Sequence, residues 1–237
     1  MAEAGELLNV EGLNLYYGGS HILRNMELRV PKGACVCLMG RNGMGKTTLL
    51  KAIMGLVPIR SGAVSFAGQE LNRAPPYQRA RLGIGYVPQG REIFPELSVE
   101  ENLQTGLISR KDGRSTLPER IFQLFPVLKQ MLPRRGGNLS GGQQQQLAIG
   151  RALALKPSLL ILDEPTEGIQ PNIVQEIGDI IVRLNREEGL TVLLVEQKLK
   201  FARQIAEYFC LMEKGHAVAA GPMAALDDEL IRRYLTV

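Results

Sequence analysis

Between residues 7 and 30 apolar side chains fall on nearly every second position, ending in Leu23, Met26, Leu28 and Val30. That alternation predicts short strands, with a turn at Tyr17-Gly18-Gly19-Ser20. Residues 34–39 form an uninterrupted apolar run, as expected of a strand buried on both faces. A glycine-rich stretch follows, then helical spacing over 47–54. Residues 61–66 and 83–87 read as further strands. From Ser98 the period changes from two to about 3.6. Ser98 is placed to cap a helix that begins at Val99. Positions 121, 124, 125, 128, 131 and 132 share one helical face, which Pro126 should interrupt. Lys111 to Ser115 is a polar loop, and Gly136-Gly137-Asn138 a flexible link. Residues 143–155 read as a helix whose four glutamines, Gln143 to Gln146, give it a polar start. Beyond Pro157 strands and helices alternate: strand 159–162, helix 173–188, strand 191–195, helix 199–207, and strands at 209–212 and 217–219.

Strands that alternate with helices imply a mostly parallel sheet. The predicted class is therefore α/β, with an antiparallel β part at the N-terminus. Residues 1–94 and 151–237 form its core, and a helical subdomain is inserted at 95–150. Composition narrows this little. The 237 residues are 45% apolar and 22% charged, within the range of a globular chain. No run approaches the ~18 apolar residues of a membrane span. The opening Met1-Ala2-Glu3-Ala4-Gly5-Glu6 has acids where a secretion signal carries bases. A cytoplasmic protein is expected. The net charge of +4 lacks the dense basic, aromatic-interleaved stretch of a nucleic-acid groove. Cys35, Cys37 and Cys210 form no metal-ligand spacing and read as buried, reduced thiols.

Chemistry concentrates in three places. Gly40-Arg41-Asn42-Gly43-Met44-Gly45-Lys46-Thr47, continued by Thr48, fits the phosphate-loop pattern between a strand and a helix. Its backbone amides would cradle phosphate, Lys46 would reach the β- and γ-phosphates, and the Thr47 hydroxyl would ligate Mg²⁺. The strand at 159–162 ends in Asp163 and Glu164, where α/β sheets bind ligands. Asp163 suits the metal, and Glu164 suits the orienting or deprotonating of an attacking water. Between the two lies Leu139-Ser140-Gly141-Gly142-Gln143, a helix start that offers a hydroxyl, amides and a positive dipole end.

In this order, with Gln89 at a strand end, these segments resemble the ATP-binding subunits of ABC transporters over nearly the whole chain. The resemblance implies a P-loop, RecA-like core that binds ATP and Mg²⁺. It implies head-to-tail pairing, each nucleotide lying between the phosphate loop of one subunit and Ser140 to Gln143 of the other. It also implies that Gln89 senses the metal or water and couples to a permease, and that Tyr17, or the adjacent Tyr16, stacks on adenine. Most relatives place a histidine where this chain has Gln197, and an aspartate in the loop 167–170. His21 and His216 lie elsewhere and read as surface residues.

The glutamine at 197 resembles the importers of branched-chain amino acids and their urea-transport relatives. The strings Pro88 to Pro95, Gln143 to Gln146 and Glu164 to Pro171 favour urea. Such importers imply a second, different ATPase subunit, two permeases and a periplasmic solute receptor, with this chain at the cytoplasmic face of the membrane. Residues 90–102 would dock on the permease through Phe94 and Leu97. Three alternatives differ in kind. A DNA-repair ATPase needs long insertions between the motifs. A phosphate-loop kinase or GTPase lacks the 139–143 segment. A non-hydrolysing regulatory subunit would be a consequence of Gln197.

Overall fold

The computed structural model describes residues 5–110 and 112–236. The acidic opening at 1–4 and Lys111 of the polar loop lie outside them. The alternation near the N-terminus builds two long strands, β1 (Glu6–Tyr17) and β2 (Ser20–Pro31), rather than several short ones. Two bulges explain the difference. The buried phase of β1 jumps from Val10 to Leu13 across Gly12 (φ 54°), and that of β2 from Leu23 to Met26 across Asn25 (φ 45°). Each extra residue resets the alternation without ending the strand.

With β4 (Ser61–Phe66) and β5 (Gln69–Glu70) these strands form an antiparallel sheet in the order β2-β1-β4-β5. The second sheet runs β10-β9-β3-β8-β7-β6. Its members are β3 (Cys35–Met39), β6 (Ile84–Val87), β7 (Leu159–Asp163), β8 (Thr191–Val195), β9 (Tyr208–Glu213) and β10 (His216–Pro222). All pairs in it are parallel except β9–β10. Strands β3, β7 and β8 are buried throughout, and their two faces serve different cores. Cys35, Cys37, Leu160, Leu162, Val192 and Leu194 pack on the helical side. Val36, Leu38, Leu159, Ile161, Leu193 and Val195 pack towards the antiparallel sheet and α1 (Lys46–Ile53). Cys35 and Cys210 have thiols pushed up to about 12 by burial, so they stay protonated.

Helix α2 (Pro76–Leu82), absent from the sequence reading, precedes β6. The helical stretch contains α3 (Val99–Thr105), α4 (Glu119–Leu124), α5 (Pro126–Gln130) and α6 (Gly141–Ala154). Ser98 caps α3 in a full capping box with Glu101. Pro126 splits α4 from α5 as anticipated, because Phe125 leaves the helical region (φ −130°, ψ 73°). Two expectations fail here. Gly136–Asn138 is a 3₁₀ turn with Gly136 buried and bonded to the Leu97 carbonyl (2.8 Å), not a flexible link. Gln145 and Gln146 are buried within α6, so the glutamine run is not a polar face. Helices α7 (Pro171–Arg186), α8 (Leu199–Ile205) and α9 (Asp228–Tyr234) complete the chain. Among the described residues no helix is long and apolar enough to cross a membrane.

Candidate nucleotide-binding site

Strand β3, between β9 and β8, delivers the phosphate loop to the C-terminal end of the parallel strands. Gly40 leaves the strand at φ 152°, and a Cβ there would lie 2.3 Å from the Met212 carbonyl oxygen, so no side chain fits. Gly43 and Gly45 continue with left-handed backbone (φ 77° and 103°) and turn the chain into α1. The first turn of α1 has no side-chain cap, which leaves its N–H groups directed at whatever anion sits in the loop. Asn42, Gly43, Gly45, Lys46, Thr47 and Thr48 line a cleft of about 660 Å³. Arg41 and Met44 face elsewhere. The Arg41 guanidinium donates to the Thr236 carbonyl, and the Met44 sulfur accepts from the Lys214 N–H (3.2 Å).

The Lys46 ammonium is buried and donates to the Gly40 and Arg41 carbonyls (2.7 and 2.9 Å). It also lies 4.0 Å from Glu164 Oε1. Burial lowers its pKa, while Glu164 and Asp163 oppose that shift. Glu164 follows β7 with a left-handed backbone (φ 48°) and bonds its N–H to the Val195 carbonyl (2.9 Å). Its carboxylate is a convergence point. Oε1 accepts from Gln197 Nε2 (2.6 Å), and Oε2 accepts from Gln89 Nε2 (3.3 Å). Gln197 donates equally to Asn42 Oδ1 (2.6 Å) and so ties the phosphate loop to Glu164. A carboxylate only accepts, which fixes the orientation of that amide.

Asp163 is 1% exposed, and neither carboxylate oxygen has a hydrogen bond of normal geometry. Burial pushes its pKa up to about 6; the Thr47 hydroxyl and Lys46 pull downward and Glu164 pushes further up. A buried acid without donors, beside a threonine hydroxyl, is the oxygen set that a hard divalent cation satisfies together with phosphate oxygens. Mg²⁺ fits these residues. The folded chain keeps the Asp163 proton to higher pH than an unfolded chain does. Stability therefore falls as pH rises from about 4 to about 6, at a cost of up to about 3 kcal/mol above that window. Asp163→Asn is expected to raise the Tm of the protein in EDTA at pH 7.5, and to leave it unchanged at pH 4. Melting curves at the two pH values check this, and equal shifts at both would contradict it.

Tyr17 and Ile22 also line the cleft. The Tyr16 ring is engaged elsewhere, stacked on His21 at 4.1 Å. His21 also bonds Asn14 (3.0 Å) and is half-buried, so it is not the free surface residue expected.

Several members of the site were not read from the sequence. Glu167 accepts a second bond from Gln89 Nε2 (3.0 Å). Glu196, 3% exposed, accepts from the Thr166 hydroxyl (2.7 Å) and from the N–H groups of Gln197 and Lys198 (2.7 and 3.0 Å), and thereby shapes the turn that presents Gln197. An acid beside Gln197 was the available signal for Glu196. No local pattern marks the pairing of residues 89 and 167.

Ser140 to Gln143 lie apart from this cleft. They border a separate hollow with Gln170 and Ile173 that shares no residue with the first. Ser140 caps α6 in a capping box with Gln143. A Cβ on Gly142 would come within 3.0 Å of Ile173. One chain thus presents a phosphate cradle and, on another surface, an uncovered helix start.

The "ABC transporter" family model matches residues 23–167. The chain is 42% identical over 221 residues to the high-affinity branched-chain amino acid transport ATP-binding protein BraG of Pseudomonas aeruginosa, covering 93% of this chain and 94% of that one. It is 36% identical to the probable branched-chain amino acid transport ATP-binding protein LivF of Archaeoglobus fulgidus, covering 91% and 92%. Its fold is similar to that of a dimeric ATP-binding cassette in a post-hydrolysis state, bound to ADP and Pi. That likeness has a TM-score of 0.81 and 25% identity, over 91% of this chain and 98% of the other. With the family model matching more than half of the chain and relatives 36–42% identical over nearly all of it, the chain belongs to the ABC transporter family as one of its ATP-hydrolysing subunits.

Proposed function

We propose that this subunit powers an importer by closing head to tail on a second, homologous ATPase subunit. The carrying observation is the separation of the two half-sites. The cradle at Gly40 to Thr48 and the α6 start at Ser140 to Gly142 occupy different surfaces of one chain. Neither encloses a nucleotide alone, and a partner supplies what each lacks. In this reading Tyr17 stacks on adenine, Lys46 and the loop amides hold the triphosphate, and Thr47, Asp163 and Gln89 hold Mg²⁺. The metal would neutralise phosphate charge when bound. Glu164 orients and deprotonates the water, and Gln197 and Gln89 position its carboxylate. Residues 95–150 move as a helical unit with the docking loop.

Phe94, 47% exposed, is the apolar contact for a permease helix, whereas Leu97 is half-buried and contributes less. Glu101 is committed to the Ser98 cap, so Glu96 is the residue for testing docking by charge reversal. The cargo proposed is urea, on the strings at 88–95 and 164–171. The 42% identical relative named for branched-chain amino acids favours the second reading.

The test is the complex of this chain with its second ATPase, permeases and receptor in proteoliposomes, assayed for ATP-dependent uptake of urea and of leucine. Uptake of urea is the expected result. Uptake of leucine alone would replace the cargo, and no ATP-dependent uptake of either would refute the importer.

A further inference from the structure

Gly90, Arg91 and Glu92 carry three consecutive left-handed backbone angles, φ 77°, 72° and 45°. Non-glycine residues persist there only where their surroundings hold them. Within the turn, the Arg91 N–H donates to the Pro88 carbonyl (3.0 Å) and the Glu92 N–H to the Gly90 carbonyl (2.8 Å). The Arg91 guanidinium reaches two other segments. Nη1 donates to Gln144 Oε1 (3.4 Å) on α6, and Nη2 to the Glu167 carbonyl (3.2 Å) behind the catalytic acids. In the other direction, Arg151 Nη2 donates to the Arg91 carbonyl (3.2 Å), and its guanidinium lies over the Phe94 ring at 5.3 Å.

Gln144 and Arg151 are two turns apart on one face of α6. The helix therefore grips the docking loop at two points. Backbone crowding completes the seat. A Cβ on Gly141 would lie 3.3 Å from Arg91 Nη1, and one on Gly168 would lie 3.8 Å from Nη2. The guanidinium is wedged between the start of α6 and the loop that follows Glu167.

We propose that Arg91 is a positioning residue that ties the docking loop to both half-sites of the chain. Displacement of residues 90–97 is delivered through Gln144 to Ser140, Gly141 and Gly142, and through the Glu167 carbonyl to the loop that carries the partner of Gln89. A purely local role would loosen residues 90–97 alone. The planar fork of arginine serves two acceptors in different segments at once, which a lysine ammonium does not reproduce. The inference takes from the transporter reading only the source of the displacement.

The test is hydrogen exchange on the full chain, with turnover of the assembled transporter measured in parallel. Arg91→Asn keeps a side chain tolerant of left-handed backbone and removes the fork. Amides of 141–144 and of 167–169 are expected to exchange about tenfold faster in Arg91→Asn and Arg91→Lys. Gln144→Ala is expected to accelerate only the first group. Cargo-stimulated kcat should fall about tenfold in Arg91→Asn, with KM for ATP within about twofold of the parent, since no phosphate contact is lost. Unchanged exchange in either segment of Arg91→Asn would overturn the proposal, as would full recovery by lysine or an unaltered stimulated kcat. If the parent complex showed no stimulated turnover, the transporter reading would fail, and the exchange result would still decide the role of Arg91.

Discussion

Glu164→Gln is expected to lower ATP turnover of the assembled complex by about 10²–10⁴-fold, the usual contribution of a positioned general base. Nucleotide affinity should stay within a few-fold of the parent. The geometry gives both halves of this expectation. Glu164 is held by Gln197 at 2.6 Å and Gln89 at 3.3 Å, and lies 4.0 Å from Lys46. It is aimed at the phosphate end of the cleft without itself forming the cradle. The substitution keeps the shape and removes the negative charge. It also removes one of the influences that raise the Asp163 pKa, so the Asp163 carboxyl becomes more readily ionised. Stable trapping of ATP with negligible phosphate release is the predicted signature. Steady-state turnover within tenfold of the parent would remove Glu164 from the role of base.

The largest stability effect is expected at Arg79, far from the chemistry. Its side chain is buried, and among the described residues no carboxylate pairs with it. Four carbonyls solvate the charge instead: Ala74 (2.8 Å), Ala52 (2.8 Å), Ile53 (2.7 Å) and Leu71 (2.7 Å). Ala52 and Ile53 belong to the last turn of α1, so Arg79 acts as the missing C-terminal cap of the helix whose other end forms the cradle. Arg79→Met keeps the bulk and strands the Ala74 and Ile53 carbonyls, whereas those of Ala52 and Leu71 still accept from the Gly55 and Ala74 N–H groups (3.0 and 2.9 Å). Removing the charge also relieves its own desolvation, which offsets part of the cost of the two orphaned carbonyls. A loss of about 3–5 kcal/mol is expected, from two buried acceptors left unpaired at about 1–3 kcal/mol each and the bonds lost at the other two. That corresponds to a Tm lower by about 10 °C for a chain of this size. Arg79→Lys should fall between, since an ammonium reaches fewer of the four. Thermal melts decide the point, and a shift below about 2 °C for Arg79→Met would refute the capping role.

The contrast between these two residues shows what could be read in advance. Glu164 stands in a contiguous pattern: an apolar strand, two acids, a proline. The phosphate loop and the Ser140 cap are equally local, because each depends on backbone geometry set within a few residues. Arg79 has no such signature. Its four partners come from three other segments, and α2 itself was not foreseen. Asn102 behaves alike: it is fully buried and bonds Phe94, Leu97 and Ser98 backbone groups, organising the docking loop from the first helix behind it. The pairing of Gln89 with Glu167 and the burial of Gln145 arise only when distant strands align. Strand lengths at the N-terminus were misread for a different reason, since a single left-handed residue at Gly12 or Asn25 shifts the phase that an alternation argument counts. In the site, the sequence left Tyr16 and Tyr17 open. The Tyr16 ring stacks on His21, and Tyr17 is the one of the two that lines the cleft.

The placement of the α6 start away from its own cleft has a genetic consequence. In the head-to-tail pairing proposed above, a lesion at Gly142 would cripple catalysis on the neighbouring polypeptide while sparing the nucleotide that its own chain grips. Defects at Lys46 and at Gly142 would fall on the same pocket when carried on separate copies, and on opposite pockets when carried on one copy. In a complex of two unlike ATPases, inheritance of such faults would follow pockets rather than genes.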